Sequence, residues 1–179
     1  MWDSRRFGVG LYFQTLLGVL GSPRRFFTDL PQETGPGLPL GFLILSAVFH
    51  AGASLTYGPE RPLLAAGVLF LNAVFMPLIA ACLGHLILVM IRGKPPGFGG
   101  VFQVYAYSAG ATLLLSWVPF SLWFTEPWKW VLTGIGLVRT CKLSLRQALT
   151  VVLLSVAFLT LLFWFLAPLA LQVRRSFTG

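Results

Sequence analysis

The chain has 179 residues, 56% of them hydrophobic and only 10% charged, with a formal net charge of +8. Soluble domains carry about a quarter charged residues, so this composition excludes the soluble globular classes and points to a polytopic membrane protein. The positive charge does not argue for nucleic acid, because the basic residues sit at the ends of apolar runs, where the positive-inside rule and anionic lipid headgroups account for them.

Residues 1–30 read as an amphipathic cytoplasmic segment. Arg5 and Arg6 precede the apolar stretch from Phe7 to Phe13, and Arg24 and Arg25 precede Phe26 and Phe27, a pattern that suits helices at the membrane interface. Gly21-Ser22-Pro23 makes a poor signal-peptidase site, and no folded cargo follows the Arg pair, so cleavage is not expected. Pro23 fits the first turn of a second short helix, with Ser22 as its N-cap. A loop rich in Pro and Gly leads to a first span over 38–57, and Gly58 to Pro62 forms a tight turn.

The second span, 63–91, holds 29 residues without Asp, Glu, Lys or Arg. At ~1.5 Å per residue it would run roughly 43 Å, more than the ~30 Å hydrocarbon core, and the other elements are expected to be organised around it. Pro77 is expected to kink it. A basic, glycine-rich loop from Arg92 to Gly100 leads to a third span over 101–120. Glu126 to Trp130 reads as an interfacial corner with its tryptophans in the aromatic belt. A fourth span over 127–141 has only 15 residues, roughly 22 Å, so it must thin the bilayer, be shielded by neighbours, or begin before Glu126. The loop with Arg139, Lys142 and Arg146 leads to a fifth span over 147–171. The expected fold is therefore all-α: five transmembrane helices over 31–179 after an interfacial segment over 1–30. With the N-terminus inside, nine basic residues fall on the cytoplasmic side and four outside, which sets the expected orientation.

Candidate functional residues are few. The basic residues expected on the cytoplasmic face (Arg24, Arg25, Arg92, Lys94, Arg139, Lys142 and Arg146) could hold anionic lipid or an acidic partner. His50 and His85 are the only histidines, and both fall inside spans, where an ionisable group is a functional hypothesis by default. Cys82 and His85 share one helix face at metal-ligand spacing, but no carboxylate joins them, so no metal or other cofactor is expected. A disulfide between Cys82 and Cys141 is not expected either. All five carboxylates lie in predicted loops or at the interface, and no catalytic or phosphate-cradling motif is present, which argues against an enzyme. Gly110 with Ala106, and Gly134 with Gly136, would let helices approach closely.

Several words of the sequence resemble the Yip family (Ypt/Rab-interacting membrane proteins), in its bacterial branch. They are Leu20-Gly-Ser-Pro-Arg-Arg-Phe-Phe27 before the first span, Gly93-Lys94 with Phe98-Gly-Gly-Val-Phe-Gln-Val-Tyr-Ala-Tyr107, Trp117-Val-Pro-Phe120, and Gly134-Ile-Gly-Leu-Val-Arg139 followed by Leu143-Ser-Leu-Arg-Gln-Ala148. The resemblance extends from about Leu20 to Leu171. It implies five spans and a cytoplasmic N-terminus. Eukaryotic relatives are linked to Rab-type GTPases, but their Asp-Leu-Tyr-Gly-Pro segment precedes the first span, whereas Tyr57-Gly58-Pro59 follows it here. GTPase binding is therefore not carried over.

Two functions compete. The first is a non-enzymatic scaffold or adaptor in a bacterial cytoplasmic (inner) membrane, with lipids, other membrane proteins and further copies of itself as partners. The alternative is a small transporter or lipid-moving protein that uses the kinked second span and the intramembrane histidines. A water-accessible cavity reaching His50 or His85 would favour the alternative, and a dry bundle the scaffold.

Overall fold

The computed structural model describes residues 8–31, 35–93, 96–118 and 120–178, with residue 163 and residues 165–178 described by backbone alone. Every regular element among them is a helix: α1 (Val9–Gly21), α2 (Pro23–Thr28), α3 (Gly37–Ser54, continued by a 3₁₀ turn over Leu55–Tyr57), α4 (Pro62–Arg92), α5 (Phe98–Ser116), α6 (Leu122–Thr140) and α7 (Leu145–Thr178). Among the described residues, four stretches are long and apolar enough to cross a bilayer: Gly37–Tyr57, Pro62–Arg92, Phe98–Ser116 and Leu145–Leu162. Helix α6 has 19 residues, but Glu126, Lys129 and Arg139 lower its hydropathy.

Local chemistry sets the boundaries. Pro23 and Pro62 occupy first turns, where a missing N–H costs nothing. Ser22 stands at the N-cap of α2, although its hydroxyl makes no capping bond. Gly58 (φ 64°) and Gly93 (φ 66°) end their helices in the left-handed region that glycine enters without strain. The start of α7 is a reciprocal capping box: Gln147 N–H donates to Ser144 Oγ at 3.3 Å, and Ser144 N–H donates to Gln147 Oε1 at 3.1 Å.

The organising helix is α5, not the long α4. Helix α5 packs against α1, α3, α4 and α6, and every residue from Val101 to Thr112 is buried. A helix enclosed on all sides needs no polar face, and α5 buries aromatic, small and polar side chains alike, Gln103 among them. Helix α4 stands at the periphery. It turns Ala73, Ala80, Ala81 and Gly84 inward and leaves Leu63, Val68, Leu71, Phe75 and Met90 exposed. Small residues inside and large apolar ones outside are what a lipid-facing helix requires. Helix α4 runs continuously through Pro77, which has no N–H to give the Ala73 carbonyl.

The N-terminal helices, expected at the membrane interface, dock on the bundle. Helix α2 packs on α6 and α1 on α5, with Val19 and Phe27 completely enclosed. Thr140 Oγ1 donates to the Phe27 carbonyl at 2.9 Å, and Tyr12 Oη pairs with Ser46 Oγ at 3.0 Å. The outer face of α1 is also apolar, with Val9, Phe13 and Leu17 exposed, so this helix is suited to lipid on one side and bundle on the other.

A polar cleft within the bundle

Helix α6 begins at Leu122, earlier than the corner expected at Glu126. The turn lies instead around Ser121, whose hydroxyl stands 2.7 Å from both the Leu115 and the Val118 carbonyl and shares its one proton between them. The earlier start carries Glu126 and Lys129 into the body of α6. Lys129 Nζ meets Glu126 Oε1 at 2.7 Å and stands 5.3 Å from the Trp130 ring centroid.

These side chains face a cavity of about 510 Å³, within the ~300–1,000 Å³ range of small-molecule sites. Each wall is one helix face. Helix α4 gives Asn72, Met76 and Ala80; α5 gives Ala109, Thr112 and Ser116; α7 gives Val156, Leu159 and Thr160. His50 reaches in from α3 and pairs through Nδ1 with Ser116 Oγ at 3.3 Å. At the floor, Tyr105 Oη lies 3.5 Å from Ser155 Oγ. Gly84 makes room for that phenol, since a Cβ there would sit 2.5 Å from its oxygen. Asn72 and Thr160 are exposed although they lie well inside apolar helices. Thr125, which also lines the cavity, keeps a buried hydroxyl without a hydrogen-bond partner.

The other expected site residues lie elsewhere. His85 does not line the cleft. Its ring packs edge-on against Phe98 at 5.7 Å, and Nδ1 is buried without a partner. Cys82 is exposed and Cys141 buried, both as free thiols. Among the described residues no three His, Cys, Asp or Glu side chains gather as a metal would need. Arg24, Arg25, Arg92, Arg139, Lys142 and Arg146 are all exposed and collect at one end of the bundle. The Thr140–Phe27 bond ties α2 to the end of α6, and Arg92 Nη1 donates to the Cys141 carbonyl at 3.5 Å. Lys94 lies outside the described residues. The Arg25–Asp29 pair at 3.7 Å is solvent-exposed and contributes little. At ~1.5 Å per residue, the polar lining at His50, Ser116 and Glu126 stands roughly 20–27 Å along its helices from this basic end.

The sequence pointed to His50 but not to Glu126 and Lys129, nor to Asn72, Thr112, Ser116 and Thr160. The available signal was the i, i+3 spacing of Glu126 and Lys129, which places them on one helical face once α6 is allowed to start early.

A family model of the Yip1 domain matches residues 17–167. No curated protein and no solved structure gives a significant match. Over most of its length, and with the all-helical, membrane-spanning architecture described above, the chain belongs to the Yip family of membrane proteins.

Proposed function

We propose that the protein acts by binding rather than catalysis, and that its bundle takes in part of a membrane lipid or lipid-like amphiphile so as to organise or move lipid. The observation that carries this reading is the cavity reaching His50. A pure scaffold has no use for a polar cleft between its helices, because buried polar groups in a membrane are costly to maintain. In this reading α6 is the fifth crossing, the basic end faces the cytoplasm, and the host is a bacterial inner membrane.

Photoactivatable diazirine lipids in nanodiscs test it. Adducts on the cleft faces of α4 and α6, reduced by Asn72→Trp, are expected. Adducts confined to the outer faces would overturn the proposal.

The basic end supports a second reading, an adaptor for acidic segments of other membrane proteins, because six exposed cationic side chains share it. Cross-linkers placed at Arg24, Arg139 and Arg146 would yield discrete protein adducts in native membranes under that reading, and lipid adducts alone would exclude it.

A further inference from the structure

Glu126 and Lys129 are more than a simple lipid slot requires. We infer that the cleft selects a zwitterionic lipid headgroup, a phosphate joined to an ammonium as in phosphoethanolamine, with the phosphate at Lys129 and the ammonium at Glu126. The inference rests on the reading that an amphiphile enters the bundle.

Among the described residues lining the cavity, Glu126 and Lys129 are the only Asp, Glu, Lys or Arg. The two lie one helical turn apart, their charged ends touch at 2.7 Å, and their side chains retain 50% and 25% exposure. The pair is thus neutral as a whole yet offers both signs to an incoming group. A lone anion would gain Lys129 and meet repulsion from Glu126, and a lone cation would meet the reverse. A zwitterion can oppose both at once, so that one intrahelical contact opens into two intermolecular ones and no charge is left buried alone. Trp130 holds Lys129 on the cleft side. Ser116 and His50, already bonded to each other, stand in the same cavity.

The remainder of the cavity identifies the source as lipid. Met76, Ala80, Ala109 and Leu159 line the same cavity with apolar surface. A soluble zwitterion would leave that surface wet, whereas an acyl chain would cover it. The other basic cluster lies at the opposite end of the helices and cannot compete for the same headgroup.

The test is native mass spectrometry of delipidated protein, offered phosphatidylethanolamine, phosphatidylglycerol and a cationic lipid with matched acyl chains. Cleft binding is taken as the difference between each protein and its Asn72→Trp counterpart, which removes binding at the basic end. The wild type is expected to prefer phosphatidylethanolamine by about tenfold. Glu126→Gln leaves Lys129 alone and should turn the preference to phosphatidylglycerol. Lys129→Gln should turn it to the cationic lipid, and the double Gln variant should bind all three alike. Misfolding would abolish binding and could not reverse a preference. Equal binding of the three lipids by the wild type, or a preference that survives the double variant, would overturn the inference while leaving lipid entry intact. Absence of any cleft binding would overturn the underlying reading instead. Effective competition by free glycerophosphoethanolamine at equal concentration would overturn the assignment to lipid.

Discussion

Gly136 shows how much of the packing rests on a missing methyl group. A Cβ there would lie 2.5 Å from Val104 Cγ1 and 3.1 Å from the Phe27 ring, so α2, α5 and α6 meet at one point. Gly110 is similar, with the Phe42 ring 2.7 Å from where its Cβ would be. Alanine at either position should destabilise the protein by about 1–3 kcal/mol, as overpacking does. Gly134 faces open space, and Gly134→Ala should gain about 0.5–1 kcal/mol of helix propensity. Thermal melting in one detergent compares the three, and an equal loss at Gly134 and Gly136 would contradict this packing. The sequence suggested both glycines as one close-approach pair. Residues two apart on a helix point to different sides, and composition alone does not say which side has a neighbour. The word around Leu143–Ala148 is easier to account for, because Ser144 and Gln147 form the capping box of α7. Ser144→Ala should cost about 1 kcal/mol, read in the same melts.

Phe27 fastens the N-terminal helices to the bundle. Its ring is completely enclosed, and its carbonyl accepts the Thr140 hydroxyl. Phe27→Ala should cost about 3–5 kcal/mol through the void it leaves. Hydrogen exchange should then quicken across α1 and α2 while α5 stays protected, and protection lost uniformly would mean that the two helices are not a separate unit. Elements were legible in the sequence to the extent that apolar length defined them. The expected spans over 38–57 and 63–91 and the structured Gly37–Tyr57 and Pro62–Arg92 agree within a residue at each end. For α6 the sequence leaves three alternatives because Glu126-Pro127 looks like a corner, and the helix takes the one that begins before Glu126. The helix tolerates Pro127 close to its start and turns Glu126 and Lys129 toward a cleft that only the assembled bundle creates. The docking of α1 and α2 was hidden for a related reason: interleaved Arg and Phe suit a membrane surface and a groove between helices equally well.

For the whole molecule the decisive matter is whether α6 crosses the bilayer, because the cleft, the basic end and the orientation depend on it together. At ~1.5 Å per residue its 19 residues span roughly 28 Å, close to the ~30 Å core. Its charges need not meet lipid: Glu126 and Lys129 face the cavity, and Arg139 lies in its last turn at the basic end. The face toward α5 and α2 is filled by Leu132, Gly136 and Leu137, while Trp123, Phe124, Trp128 and Val131 point outward. That is an outer surface a bilayer can cover, with the tryptophans near one boundary. Single cysteines in a background lacking Cys82 and Cys141 give the test, through a membrane-impermeant maleimide applied to intact cells or to inverted vesicles. If α6 crosses, Arg61→Cys and Trp123→Cys react from the outside, and Arg24→Cys and Lys142→Cys react only in inverted vesicles. Labelling of Trp123→Cys and Lys142→Cys from the same side would reduce the crossings to four. It would also place the Glu126–Lys129 pair beside water rather than within the membrane, and the selectivity argued for the cleft would lose its basis.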